Sequence, residues 1–388
     1  MSLSTLPLSY CTNVHPGRSI AEVEHGLDKY TVHVRENFGA PLAAGLWLAQ
    51  SVVKELLALP DRLPRFAEGL SERGFTCHTL NAFPFGDFHS ERVKENVHVP
   101  DWAQPERLDY TSHCATVLAA LMPDGTEGSI STLPLGFKLC EHADNFFDRA
   151  IGQLIDLARR LDELYDETGK LIRLAIEPEP FGLIETTGEV LSFFERLWQR
   201  AEDQAAAEVV QRCLGLCYDV CHQAVEFEDV AESIQALDRG GVRINKVHIT
   251  CALQLDHPAE NAEGRKALAR YVEPRYLHQT LARAASGEIL RAVDLTEQLA
   301  LHPELDFLEA DVWRVHFHVP VDADHLGPLG TTRSQLKQAL TAVAQLSYAP
   351  HLEVETYTWE ILPDGNATNL IDGLTRELQA TQSLLESL

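Results

Sequence analysis

The stretch that most constrains the fold is Leu171–Pro180, with the sequence LIRLAIEPEP. Its apolar run predicts a buried strand, and the two prolines that follow end that strand because proline cannot donate a ladder hydrogen bond. Glu177 comes directly after the run. A carboxylate at the carboxyl tip of a buried strand is typical of the end of an α/β barrel that carries chemistry.

Strand-like and helix-like segments alternate along the rest of the chain. Ser19 with Glu22, and Thr186 with Glu189, have the spacing of capping boxes that begin helices, and Gly169 ends another helical stretch. Short strands separated by helices predict parallel βαβ units. We therefore predict an α/β fold in which residues 1–388 form a single TIM (β/α)8 barrel domain.

The pattern contains nine strand candidates, which is one more than such a barrel needs. One of LAAGLWL, INKVHI and VHFHV must lie outside the barrel. We favour VHFHV because it follows residues 253–312, an insertion-like stretch with a hairpin pattern around Ser286-Gly287. The opposite assignment stays open, since a helix and a strand also follow VHFHV. The insertion is expected to be a lid over the barrel mouth or a dimer contact.

Charge and cysteine content exclude several classes of function. The net charge is −26 over 388 residues, so the surface repels nucleic acid and anionic membranes while acidic clefts suit cations. The eight cysteines form no CxxC pair, which favours reduced thiols in the cytoplasm. We find no signal-peptide pattern and no apolar run of membrane-spanning length. No glycine-rich loop of a nucleotide-binding type is present either, so no nucleotide cofactor is expected.

Four predicted strand tips carry groups that bind metals: Glu177, Asp219, His248 and Glu355. Tips of neighbouring barrel strands converge on one axis, so the carboxylates would repel one another unless a cation lay between them. Three carboxylates and one imidazole suit Mn²⁺, Mg²⁺, Co²⁺ or Zn²⁺, and the sequence does not choose among these metals.

Each of these residues also has a structural interpretation. A single glutamate at a strand end is usually solvated or ion-paired, Asp219 could cap the next helix, and a single histidine is often a core residue. Glu353 shares a face with Glu355, and Lys246 is a candidate partner for one of the two. We favour Glu355 as the ligand because it lies nearer the rim.

Further polar residues at the predicted strand tips are candidates for binding substrate or supporting the ligands. His316 and His318 are expected to extend the site or to build a second one. The whole set is His222, His316, His318, Asn13, His15 and Asn81.

The order of these residues resembles the xylose-isomerase-like TIM barrels, a superfamily of sugar epimerases, sugar-phosphate isomerases and the endonuclease IV group. The interval from Asp219 to His248 and the stretch IEPEPFGLIETTGEV are similar to the epimerase arrangement. LSYCTNVHPG, HTLNAFPFGDFH and HLEVETYTW resemble the metabolite-traffic proteins of the bacterial Ebo cluster (EboE type). The chain departs from the epimerases in its insertion and its ninth strand. The chain lacks the early-strand histidines of the endonuclease IV group, so DNA repair is not expected.

The resemblance implies a metal-dependent isomerase or epimerase of a sugar-like hydroxy-carbonyl metabolite. The cation would acidify a C–H bond, and Glu177 and Glu355 would exchange protons through an enediolate. The alternatives are a metal-binding metabolite-traffic protein without catalysis and a metal-dependent hydrolase. The expected partner is a small molecule, and a homodimer is a further possibility.

Overall fold

The computed structural model describes residues 3–363 and 370–388. Eight parallel strands close into a barrel, which confirms the predicted fold class. In chain order the staves are β1 (Leu8–Cys11), β2 (Leu42–Trp47), β3 (Thr79–Asn81), β4 (Gly128–Thr132), β5 (Ile172–Ile176), β6 (Leu214–Asp219), β7 (Ile244–Ile249) and β14 (His351–Val354). The first and last staves pair with each other, and the last stave also pairs with β7.

A second sheet of six strands interrupts the barrel between β7 and β14. Its strands are β8 (Cys251–Asp256), β9 (Thr280–Arg283), β10 (Ile289–Ala292), β11 (Val312–Val319), β12 (His325–Leu326) and β13 (Leu329–Thr331). They pair antiparallel in the order β10-β9-β11-β8-β13-β12. This sheet runs from residue 251 to residue 331, past the expected 253–312 insertion at both ends.

VHFHV lies in β11 and is not a stave, as favoured from the sequence, whereas LAAGLWL and INKVHI form β2 and β7. The expected hairpin around Ser286-Gly287 is the β9–β10 pair. The chain leaves the barrel after Ile249 and enters β8 at Cys251. Only Thr250 therefore separates the two sheets at this point, which fixes the second sheet closely against the barrel.

Helices alternate with the strands. They are α1 (Ile20–Gly26), α2 (Val32–Phe38), α3 (Gln50–Leu57), α4 (Arg62–Glu72), α5 (Pro105–Leu121), α6 (Phe146–Thr168), α7 (Thr187–Asp203), α8 (Ala207–Cys213), α9 (Val220–Val225), α10 (Val230–Arg239), α11 (Ala262–Leu268), α12 (Glu297–Leu301), α13 (Leu305–Leu308), α14 (Arg333–Val343) and α15 (Leu370–Glu386). Among the described helices, none is both long and apolar enough to cross a bilayer.

Local signals set several helix ends. The predicted capping box between Thr186 and Glu189 begins α7, and Gly169 ends α6 in the left-handed region at φ 69°. The single helix expected from Ser19 to about Asn37 is instead divided by a π-helical turn, Leu27–Thr31, between α1 and α2. Ser19 still caps α1 by accepting a hydrogen bond from the backbone of Glu22.

Small residues in β2 make room for polar groups inside the barrel. A Cβ added to Gly45 would lie 1.5 Å from Oε1 of Glu353 and 3.0 Å from the carbonyl oxygen of Tyr10. No side chain larger than hydrogen fits there without displacing Glu353. Gly45 therefore has a specific use, which is to admit a buried carboxylate.

Candidate metal centre

Four side chains meet at the carboxyl end of the barrel. Asp219 ends β6 and His248 lies in β7, while Glu177 and Glu355 follow β5 and β14. The register places Asp219 opposite His248, so these two side chains emerge at the same level. One ligand-type atom from each of the four lies within 4.8 Å of the others, and all four residues are buried.

The Nδ1 atom of His248 faces three carboxylates. It lies 3.1 Å from Oε1 of Glu177, 3.1 Å from Oε2 of Glu355 and 3.6 Å from Oδ2 of Asp219. Oε2 of Glu177 and Oδ2 of Asp219 are buried and have no hydrogen-bond partner among the described residues. Buried oxygens without partners are costly, and a divalent cation would satisfy them, so these residues fit a metal.

Behind His248 lies a buried ion pair. Nζ of Lys246 is 2.6 Å from Oε2 of Glu353, and the same oxygen is 3.2 Å from Nε2 of His248. A carboxylate behind a metal-binding histidine fixes the orientation of the ring. The structure thus pairs Glu353 with Lys246 and brings Glu355 to the cluster, which is the arrangement favoured from the sequence.

Asn13 and Asn81 position Glu355. The Nδ2 atoms of both amides donate to Oε1 of Glu355, at 2.8 Å each. Both residues were candidates for binding substrate or for supporting the ligands, and their N–H groups donate to Glu355. The buried Oδ1 of Asn13 keeps no partner within the described chain and remains a possible acceptor for a ligand.

Asp219 has two functions at once. Its Oδ1 accepts a hydrogen bond from the backbone of His222 at 3.1 Å and thereby caps α9. The same oxygen accepts from the hydroxyl of Thr250 at 2.6 Å. The alternative of a helix cap is therefore correct for one oxygen, while Oδ2 stays directed toward the cluster.

His222, His316 and His318 lie together beside this cluster. Nε2 of His222 is 3.1 Å from Nε2 of His316, and Nε2 of His318 is 3.7 Å from Oδ2 of Asp219. All three rings are buried. The second sheet brings His316 and His318 to the barrel mouth, since both belong to β11.

His15 does not join this group. It is hydrogen-bonded to the hydroxyl of Tyr10 at 3.0 Å and stacks on Tyr30 with ring centroids 4.5 Å apart. It lines a separate small cavity with Thr12 and Trp47. The structure therefore places His15 outside the cluster, just after the 3-10 turn Thr12–Val14.

Sequence reasoning missed a network that supports His316. Glu179 accepts hydrogen bonds from Nε2 of His98 at 2.9 Å and from the amide of Gln279 at 3.0 Å. The Oε1 atom of Gln279 in turn accepts from Nδ1 of His316 at 2.7 Å. Glu179 belongs to the conspicuous EPEP stretch and could have been named, whereas Gln279 has no sequence signal because it precedes a strand of the insertion.

The pKa values of the two glutamates in the cluster shift in opposite directions. Burial raises the pKa of Glu177 above its ordinary value, despite the nearby imidazole of His248. Burial acts in the same sense on Glu355, but the imidazoles of His248 and His318 outweigh it and lower the pKa of Glu355. The pKa of Asp219 is likewise held well below its ordinary value, because His222 and His318 outweigh burial.

The cluster opens into a cavity. Its floor carries the polar groups described above, but its walls are largely apolar and aromatic. The wall residues are Phe83, Pro84, Phe88, Val93, Val97, Tyr276, Leu277 and Tyr357. Lys94 also lines the cavity, yet its ammonium group is engaged by Asp294 at 2.7 Å and by the carbonyl oxygens of Glu273 and Tyr276.

Solved structures show the same fold. The chain is similar to L-ribulose 3-epimerase (12% identity, 100% of this chain and 95% of that chain, TM-score 0.53). It is also similar to D-psicose 3-epimerase (11%, 98% and 99%, TM-score 0.52) and to the IolI protein with a bound zinc atom (12%, 98% and 99%, TM-score 0.50). At these identities the likeness shows the fold alone, a (β/α)8 barrel. No protein-family model and no curated protein matches the sequence.

Proposed function

We propose that this protein is a divalent-metal-dependent isomerase or epimerase of a hydroxy-carbonyl metabolite. The observation that carries the proposal is the buried cluster of Glu177, Asp219, His248 and Glu355, with carboxylate oxygens that lack partners in the described structure. Mn²⁺, Mg²⁺, Co²⁺ and Zn²⁺ all suit this donor set. Two of the proteins with the same fold are sugar epimerases, and a third binds zinc.

We assign proton abstraction to Glu177. A bound divalent cation supplies Lewis acidity, which makes a C–H bond beside a carbonyl group more acidic. Oε1 of Glu177 faces His248, and Oε2 has no partner in the described residues, so one oxygen would hold the cation and the other would be left to take the proton. The raised pKa of Glu177 suits a general base that must hold a proton for part of the cycle.

Glu355 is the second proton-transfer group in this proposal, and its environment differs. The two amides that donate to its Oε1 and its lowered pKa both favour the carboxylate form. The two environments move the pKa values of the pair apart, so the two carboxyl groups differ in protonation, as proton exchange between them requires. Glu355 would act on the opposite side of the substrate carbon while Asn13 and Asn81 hold it in place.

The walls of the cavity constrain the substrate. A plain sugar presents hydroxyl groups on every side, but beyond the floor this cavity offers mainly ring faces and aliphatic side chains. Ligand groups that replace water on such walls gain affinity when they are apolar. We therefore propose a substrate with a hydroxy-carbonyl head and an apolar or aromatic remainder.

Deuterium exchange from D₂O tests the proposal. The probes are L-ribulose, D-fructose, hydroxyacetone and a hydroxyacetone derivative that bears a phenylethyl group, each added to Mn²⁺-loaded protein and followed by NMR. We expect exchange beside the carbonyl, fastest for the phenylethyl compound. Glu177→Gln should slow it by about 10²- to 10⁴-fold. Glu202→Gln, on an exposed glutamate of α7, should leave it unchanged. Full exchange in Glu177→Gln would exclude the assigned role.

A metal-binding metabolite-traffic protein is the second candidate. The three stretches that resemble the Ebo-cluster proteins all reach this one cavity, through Asn13, Asn81 and Tyr357 among others. The same experiment separates the two functions. Saturable binding of a probe without any deuterium exchange in the Mn²⁺-loaded protein favours the carrier.

Location and assembly complete the proposal. All eight cysteines lie in the described residues and are free thiols, seven of them buried. Free thiols are typical of a reducing compartment, so we propose a cytoplasmic protein that binds a small metabolite. The proposed homodimer is tested by the molar mass in solution.

A further inference from the structure

Hydrogen-bond partners determine which ring nitrogen carries the proton in each of the three histidines beside the cluster, His222, His316 and His318. Nδ1 of His222 lies 2.9 Å from the carbonyl oxygen of Pro178, and Nδ1 of His318 lies 2.8 Å from the carbonyl oxygen of Glu355. A carbonyl oxygen can only accept a hydrogen bond. Both rings therefore carry a proton on Nδ1.

The same holds for His316, whose Nδ1 faces Oε1 of Gln279 at 2.7 Å. The amide nitrogen of Gln279 donates to Glu179 at 3.0 Å and to the carbonyl oxygen of Pro180 at 3.2 Å. The amide orientation is thus fixed by two acceptors, and its oxygen must accept from His316. In the neutral form, each of the three rings presents a lone pair on Nε2.

Ligand-type atoms of Asp219, His222 and His318 lie within 4.8 Å of one another, and so do those of His316, His318 and Cys221. Nε2 of His222 and Nε2 of His316 are 3.1 Å apart. Nε2 of His318 has no hydrogen-bond partner in the described chain and lies 3.7 Å from Oδ2 of Asp219, which is equally unpartnered. That oxygen is also 3.9 Å from Nε2 of His222. Lone pairs that face one another in a buried site repel each other. A cation bound between them would remove this repulsion.

We propose a second divalent-cation site formed by His222, His316 and His318, with Oδ2 of Asp219 shared between this site and the first. Three imidazoles with one carboxylate are nitrogen-rich, so the site selects Zn²⁺ over Mg²⁺ or Mn²⁺, whereas the first site is oxygen-rich. Each imidazole donates its other N–H to an oxygen, which is the usual support of metal-binding histidines. The proposal deepens the proposed function and rests on it only through Asp219.

Zinc stoichiometry tests the second site. Protein stripped with chelator is dialysed against Zn²⁺, and the bound metal is measured by mass spectrometry. We expect two zinc ions per wild-type chain and one in His316→Ala and His318→Ala. His302→Ala, a change at an exposed histidine, should keep two. Gln279→Leu should weaken the second site by about 10- to 100-fold, since it removes the support of His316.

The variant His248→Ala, at the first metal site, distinguishes failure of the proposed first site from failure of the proposed second site. His248→Ala should lose the first ion and keep the second. One zinc ion in the wild type that is lost in His248→Ala but kept in His316→Ala overturns the second site and leaves the first intact. If His316→Ala does not fold, His318→Gln and Co²⁺ absorption of the wild type, which reports a tetrahedral nitrogen-rich site, decide the question.

The main alternative is an extra proton on one ring, which would turn the His222–His316 contact into a hydrogen bond. Imidazole nitrogen NMR of the zinc-free protein distinguishes the two cases. We expect three neutral rings protonated at Nδ1, with Nε2 resonances that shift when Zn²⁺ is added. A doubly protonated His222 whose resonances do not respond to Zn²⁺ would overturn the proposal.

Discussion

At the residue scale, Lys246 and Glu353 form an ion pair that is fully buried in the barrel. Burial alone would raise the pKa of Glu353, but the ammonium group of Lys246 outweighs it, and with His248 it lowers that pKa to about 2. The pair therefore keeps a charged carboxylate behind His248 at every physiological pH. Its use is to orient the imidazole rather than to contribute net stability.

Replacement of Lys246 by methionine should destabilise the protein. The change leaves the buried charge of Glu353 without its partner, which typically costs about 3–5 kcal/mol of unfolding free energy. Urea denaturation measures the loss. Adding Glu353→Gln to Lys246→Met removes the stranded charge and should recover much of it. A loss below about 1 kcal/mol in the single variant would show that water or protonation relieves the charge.

Glu377 in α15 predicts a pH dependence outside the metal centre. It accepts hydrogen bonds from the backbone of Val321, the hydroxyl of Thr356 and the indole of Trp359. Burial outweighs these donors and raises the pKa of Glu377 to about 7. The unfolded value is about 4.3, so the native state holds a proton that the unfolded state releases between these two pH values.

The stability that this proton provides is complete below about pH 4 and is lost as the pH rises through about 7. Relative to Glu377→Gln, which cannot ionise, the wild type should lose about 1.4 kcal/mol per pH unit within that window. Urea denaturation at a series of pH values measures the difference. Glu386→Gln, on an exposed glutamate of the same helix, should give no such slope. A constant difference between wild type and Glu377→Gln would contradict the raised pKa.

At the scale of single elements, β2 and β14 depend on one another through a glycine. Gly45→Ala should displace Glu353, because the new Cβ would overlap its carboxylate. We expect a loss of about 1–3 kcal/mol for the overpacked interior, together with weaker metal binding because His248 loses its support. Denaturation and zinc titration measure the two effects. Gly152→Ala, on α6 where a Cβ meets nothing within 4 Å, is the matched control. Normal zinc affinity in Gly45→Ala would contradict the link.

The staves of the barrel and the tips that carry Glu177, Asp219, His248 and Glu355 were predictable from the sequence. At Glu177 and Asp219 an apolar run ends on a residue that a buried strand would not otherwise tolerate, and this signal is local. The choice between Glu353 and Glu355 was also possible, because the two share a face but Glu355 lies two residues nearer the carboxyl rim, and Lys246 pairs with the deeper Glu353.

The second sheet and the contacts of His98, Gln279 and Thr250 were not predictable. Antiparallel pairing between β8 and β11 joins residues far apart in the chain and has no local signature. Gln279 becomes important only because the β9–β11 pairing brings it to His316. The surroundings of His15 had no sequence signal either, since its position after a strand tip does not reveal the turn at Thr12–Val14 or the stacking on Tyr30.

At the scale of the whole molecule, a net charge of −26 opposes compaction, and the metal centre adds several acidic groups in one buried place. A cation that binds the folded state alone stabilises it by mass action. At a free concentration 100-fold above the dissociation constant the gain is about 2.7 kcal/mol, so chelation should lower the melting temperature and Mn²⁺ or Zn²⁺ should restore it.

A salt that does not bind the metal centre is the control, because any salt screens the repulsion between exposed carboxylates. KCl of matched ionic strength should therefore give a small rise in melting temperature in both the wild type and Asp219→Asn. The larger rise with Mn²⁺ or Zn²⁺ should be confined to the wild type, since the variant loses the oxygen that faces both clusters of ligands. If KCl reproduces the full effect, or if Asp219→Asn responds to Zn²⁺ as the wild type does, the stabilisation comes from the surface and not from the barrel mouth.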